Sequence, residues 1–156
     1  MVSIDQLKKL REETGISLAE CRKALEESSG DIEKAKEILR KWGKQVAQKK
    51  AERKAEEGVI ESYIHPNKKV GVLLQISCES DFVAKSEEFQ KLAHEICLQI
   101  AAMNPLFVKK EGVPEKSLLS QPWIRDETKT IKDLIDEYIA KIGENIVIRK
   151  FVRYEI

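Results

Sequence analysis

Val59-Ile60-Glu61-Ser62-Tyr63-Ile64-His65-Pro66-Asn67-Lys68-Lys69-Val70-Gly71-Val72-Leu73-Leu74-Gln75-Ile76-Ser77 is where the hydrophobic period of this chain changes from helical to alternating. Val70, Val72, Leu74 and Ile76 alternate against Gly71, Leu73, Gln75 and Ser77, as in a strand with one buried face. The join His65-Pro66-Asn67-Lys68-Lys69 supplies the Pro and Asn of a turn, so the two runs predict an antiparallel hairpin. The chain before this hairpin reads as helix, and the chain beyond it reads as helices packed on a small sheet.

Downstream, Ser86 is the expected cap of a helix whose inner face is Phe89, Leu92, Ala93, Ile96, Cys97 and Ile100. Residues 104–127 hold Pro105, Pro114 and Pro122, three of the four prolines, and predict an irregular connection with a short helix around 115–119. A last amphipathic helix uses Ile131, Leu134, Ile135, Tyr138, Ile139 and Ile142 and stops at Gly143, and a β-rich strand over 145–154 comes last. This is an α+β core, residues 58–156: a small antiparallel sheet covered by helices on one face.

Upstream, Ile4, Leu7 and Leu10, then Leu18, Cys21 and Leu25, then Ile32, Ala35, Ile38, Leu39 and Trp42 recur at helical spacing. Gly15 turns the chain, Ser17 with Glu20 predicts a capping box, and Gly30-Asp31 gives a stop followed by an N-cap. With Gly43 closing the third helix, residues 1–43 predict a separate three-helix bundle. Residues 44–57, rich in Lys, Glu, Gln and Ala, predict a solvated connecting helix ended by Gly58.

Composition excludes more than it selects. With 28 basic and 27 acidic residues the net charge is +1, so no global field draws nucleic acid or an anionic membrane. Three cysteines, Cys21, Cys78 and Cys97, are odd in number and lack paired spacing, which reads as a reducing cytoplasm. The N-terminus has no signal-peptide pattern, and no apolar run is long enough to span a bilayer, so a soluble, cytoplasmic protein is expected.

There is no phosphate-binding loop, nucleophile elbow or His-Glu-x-x-His, so an enzyme is not expected. His94 and Cys97 lie one turn apart but lack further ligands, and core packing accounts for Cys97. The basic run Arg40, Lys41, Lys44, Lys49, Lys50, Arg53 and Lys54 allows an RNA contact, yet only Trp42 is near enough to stack.

Ser77-Cys78-Glu79-Ser80-Asp81-Phe82-Val83-Ala84-Lys85-Ser86 sets an aromatic beside a carboxylate just after a strand. Two readings stand. In one, Phe82 and Val83 tuck inward while Asp81 caps a turn; in the other, the aromatic protrudes as an interface hot spot.

Several separated segments together resemble the elongation factor Ts family of bacteria and organelles. They are Leu10-Arg11-Glu12-Glu13-Thr14-Gly15, Cys21-Arg22-Lys23-Ala24-Leu25, Gly30-Asp31-Ile32-Glu33-Lys34-Ala35 and Ala55-Glu56-Glu57-Gly58-Val59-Ile60. Cys78-Glu79-Ser80-Asp81-Phe82-Val83-Ala84-Lys85 resembles the family's Cys-x-Thr-Asp-Phe-Val signature, with Ser80 in place of the threonine, and Ala140-Lys141-Ile142-Gly143-Glu144-Asn145-Ile146-Val147-Ile148-Arg149 resembles a second.

The resemblance implies a nucleotide-exchange factor for the GTPase elongation factor Tu, with residues 1–43 a ubiquitin-associated-like bundle docking on its nucleotide-binding domain. Arg11, Leu18, Ala19 and Arg22 would lie at that contact, where Leu18-Ala19 stands for the family's frequent Met-Met pair. Ser80, Asp81, Phe82 and Val83 would form the wedge that disturbs the partner's magnesium and phosphate site. Magnesium and guanine nucleotide belong to the partner, so no cofactor of its own is expected. Longer relatives carry two core subdomains, whereas this sequence has one hairpin-helix unit, so a homodimer is expected, with the wedge from one copy and His65 from the other.

Overall fold

The computed structural model describes residues 2–156. Three helices come first: α1 (Ile4–Thr14), α2 (Leu18–Glu27) and α3 (Ile32–Lys50). Each begins on a side-chain cap, with Ser3, Ser17 and Asp31 accepting backbone N–H groups that the first helical turn leaves unpaired. Ser3 and Gln6 make a reciprocal capping box, whereas Ser17 accepts from Glu20 without a return bond. Gly15 ends α1 in the left-handed conformation that its missing Cβ permits. Leu10, Cys21, Ala24, Leu25, Ala35 and Leu39 fill the seam among the three helices.

Gly43 does not close α3. The helix runs seven residues further, to Lys50, because Gly43 is buried where α3 crosses α6 (Ile131–Ile142): a Cβ built on it would stand 3.5 Å from that of Ala140. A glycine chosen for close approach looks, in sequence, like a glycine that ends a helix. Beyond Lys50 the chain turns through Ala51–Arg53, and Ala55 is buried, so the expected connecting helix over 44–57 is helical only in its first half. Lys44 pairs with Asp133 of α6 at 3.4 Å, and Lys141 of α6 reaches back against Gly15. The three-helix part therefore rests on the core along α3.

The core sheet is β1 (Glu57–Ile64), β2 (Val70–Cys78) and β5 (Val147–Glu155), antiparallel in the order β1-β2-β5. Alternation fixes its faces. Val72, Leu74 and Ile76 point inward, and α5 (Glu87–Met103) covers them with Phe89, Leu92, Ala93, Ile96 and Ile100, each large side chain contributing about 2 kcal/mol by leaving water. The other face is uncovered: Ile60, Ile64, Leu73, Val152 and Tyr154 are exposed there, and register places Leu73 between Ser62 and Val152.

Residues 104–127 are more ordered than the prolines suggest. Two single 3-10 turns, Pro114–Lys116 and Leu118–Ser120, lead into a small hairpin of β3 (Pro122–Trp123) and β4 (Asp126–Thr130). Polar side chains hold it down: buried Gln99 of α5 donates to the Pro122 carbonyl at 2.9 Å and accepts the Ile124 N–H at 2.9 Å, and buried Gln121 donates to the Glu115 carbonyl at 2.8 Å.

No helix among the described residues is long and apolar enough to cross a membrane.

Candidate functional site

β2 ends at Cys78, and the chain turns at once into a single helical turn, α4 (Asp81–Ala84). Ser80, not Asp81, is its cap: the Ser80 hydroxyl oxygen accepts the Val83 N–H at 3.2 Å. The two residues that the inward reading grouped together part company. Val83 is 8% exposed and sits in the core, while Phe82 is 86% exposed. A single turn with Val83 and Ala84 anchored inside leaves Phe82 no inward direction. Asp81 is exposed beside it and pairs with Lys85 at 2.9 Å, one turn on.

This turn is held from a segment far along the chain. Glu144 Oε1 accepts the N–H of Glu79 at 3.0 Å and of Ser80 at 2.9 Å, and Glu144 Oε2 accepts the Ser80 hydroxyl at 2.6 Å. Glu79 reciprocates, accepting the Asn145 N–H at 2.8 Å and pairing with Arg53 at 2.9 Å. Asn145 is buried and its side-chain amide donates to the Arg53 carbonyl at 2.8 Å, while Arg149 donates to the Ala55 carbonyl at 2.6 Å and to Ser77 Oγ at 3.3 Å. Three stretches, 51–55, 77–80 and 144–149, are thus laced together behind Phe82. Burial pushes the adjacent Cys78 thiol up to about 11, with the Glu144 charge adding to it, so it stays protonated and donates to the Ser80 carbonyl at 3.3 Å.

The family model described as Elongation factor TS matches residues 7–128. This chain belongs to the elongation factor Ts family. The elongation factor Ts of Thermotoga maritima is 44% identical over 191 aligned residues, covering 99% of this chain and 96% of that protein. Those of Caldanaerobacter subterraneus subsp. tengcongensis and Coprothermobacter proteolyticus are each 44% identical over 193 aligned residues, covering 99% of this chain and 96% and 98% of the relative. The aligned stretches exceed the 156 residues of this chain, so these relatives hold internal residues that it lacks.

Within this elongation factor Ts family member, the other candidate residues are dispersed. Arg11 on α1 and Leu18, Ala19 and Arg22 on α2 are all exposed, with Leu18 at 46% despite its apolar side chain. His65 sits in the hairpin turn, its Nδ1 2.9 Å from the Tyr63 hydroxyl. The His65 turn and α4 occupy opposite ends of β2, roughly 27 Å apart along a strand of this length. Of the basic run, Lys44 and Arg53 are engaged by Asp133 and Glu79. Cys97 is fully buried, its thiol pushed up to about 12, and exposed His94 instead meets the Tyr63 ring edge-on at 6.2 Å. No group of three or more metal-ligating side chains occurs among the described residues.

Sequence reading missed Glu79, Arg53, Glu144 and Asn145 as supports of the turn. Glu79, Glu144 and Asn145 lie within the two signature-like segments, but a contact across 64 residues leaves no trace in local spacing.

Proposed function

We propose that this chain is a guanine-nucleotide exchange factor for elongation factor Tu, acting by insertion of Asp81 and Phe82 near that partner's magnesium and phosphate site. The observation that carries this is Phe82 itself: an aromatic 86% in solvent, on a capped turn tied from behind, in a member of this family. A large apolar ring left bare on a rigid support fits a partner pocket, because its burial is favourable and little conformational freedom is lost. Val83 anchors the turn from inside, and Ser80 caps it.

The mechanism needs no covalent step. If the factor binds the nucleotide-free GTPase more tightly than the GDP form, GDP is weakened by the same ratio. Residues 1–43 serve as the docking unit, presenting Arg11, Leu18, Ala19 and Arg22 to the nucleotide-binding domain, and residues 58–156 serve as the exchange core. The uncovered apolar sheet face supports a homodimer. Pairing would also let one partner molecule meet both a wedge and a His65 turn, which stand at opposite ends of β2 within one chain.

The test is release of fluorescent GDP from elongation factor Tu by catalytic amounts of this chain. Acceleration by the wild-type chain, with a loss of more than about tenfold for Phe82→Ala, is expected. Undiminished release by Phe82→Ala removes the wedge.

A further inference from the structure

A four-residue helix cannot hold itself: one turn fixes several backbone dihedrals for about one hydrogen bond, and in isolation it frays. Whatever keeps Phe82 in one orientation must come from outside α4. The inward anchors Val83 and Ala84 fix the depth of the turn but not the path by which the chain enters it.

That path is set by one carboxylate. All three groups that Glu144 accepts from, the Glu79 N–H, the Ser80 N–H and the Ser80 hydroxyl, lie in the lead-in to Phe82. The hydroxyl bond matters most. By donating its proton to Glu144 at 2.6 Å, Ser80 turns an oxygen lone pair toward the Val83 N–H at 3.2 Å, which is the cap that starts the turn. Glu144 is itself placed by Gly143, which ends α6 with φ 83°, and by the neighbouring Asn145, whose N–H is held by Glu79.

Resting on the wedge reading, we infer that Glu144 is a positioning residue for exchange: it fixes Ser80 and thereby the orientation of Asp81 and Phe82. Its contribution is preorganisation, since a wedge already in its binding pose loses less freedom on docking. The residue acts through Ser80, not through contact with the partner.

The experiment compares GDP release by wild type, Glu144→Ala, Phe82→Ala and the double variant, with circular dichroism on each. A positioning role predicts that Glu144→Ala lowers release about tenfold, as loss of charge-assisted hydrogen bonds would, and that the double variant is no slower than Phe82→Ala alone. Multiplying losses in the double variant, or Glu144→Ala within twofold of wild type, overturns the inference. Wild-type release by Phe82→Ala would instead overturn the wedge reading on which it rests. Should Glu144→Ala unfold, Glu144→Gln decides: it keeps an oxygen for the two N–H groups but cannot accept the Ser80 hydroxyl. About threefold slower release, again absent in the Phe82→Ala background, is then expected, and additive losses overturn the inference.

Discussion

Gly58 runs so close to Ile76 that a Cβ built on it would stand 2.1 Å from the Ile76 carbonyl oxygen. Its φ of 150° is also one that side chains rarely adopt. Gly58→Ala is therefore expected to destabilise the chain by about 2 kcal/mol or more, pushing β1 away from β2 beside the entry to α4. A urea midpoint unchanged from wild type would show that the strands yield without cost.

Gly43 behaves in the opposite way. It lies mid-helix with helical φ, and the nearest atom to an added Cβ is Ala140 Cβ at 3.5 Å, an ordinary contact. Gly43→Ala should stabilise by about 0.5–1 kcal/mol through helix propensity, whereas Gly43→Leu should cost about 1–3 kcal/mol by forcing α3 off α6. Thermal midpoints of the two variants, moving in opposite directions, are the measurement.

The uncovered sheet face gives a prediction about pairing. Leu73 lies near its centre, flanked by Ser62 and Val152, with Ile60 73% and Tyr154 74% exposed on the outer strands. Leu73→Glu would place a charge in the proposed dimer seam and should give single chains by light scattering, with the sheet intact by circular dichroism. A wild-type chain that is already single at micromolar concentration would end the dimer proposal.

Two carboxylates on α6 should pull acid stability in opposite directions. Burial works against the charge of Asp133, yet the Thr130 N–H and Lys44 prevail and hold its carboxyl below the usual range. Its contribution is present above the unfolded pKa and is lost as pH falls through the lower folded one. Burial raises Asp136 despite Lys132, so the native state binds that proton more tightly and gains stability on acidification. Across stepped-pH urea titrations below neutrality, Asp133→Asn should flatten the loss of stability and Asp136→Asn should steepen it.

Much of the fold was legible because burial is periodic. Val72, Leu74 and Ile76 at spacing two, and Phe89, Leu92, Ile96 and Ile100 at helical spacing, give strand and helix with their inner faces. Glycine was the main source of error, since Gly43, inside α3, and Gly15, ending α1, carry the same letter for different physical reasons. The β3–β4 hairpin was hidden because Asp126-Glu127-Thr128-Lys129-Thr130 has no apolar alternation and is secured by Gln99 and Gln121 at long range. At the candidate site, spacing could not separate Phe82 from Val83; the exposed ring becomes visible only once α4 is built on Ser80.

The 64-residue span between Ser80 and Glu144 also gives the wedge a history during synthesis. A growing chain emerges with Phe82 well before the carboxylate that accepts from Ser80, and contacts this distant in sequence form late. Until residues 144–149 have been made and β5 has paired with β2, the aromatic is carried on an untethered turn. Under the proposed function, docking by residues 1–43 is available early, whereas exchange is withheld from unfinished chains and arrives together with the completed sheet.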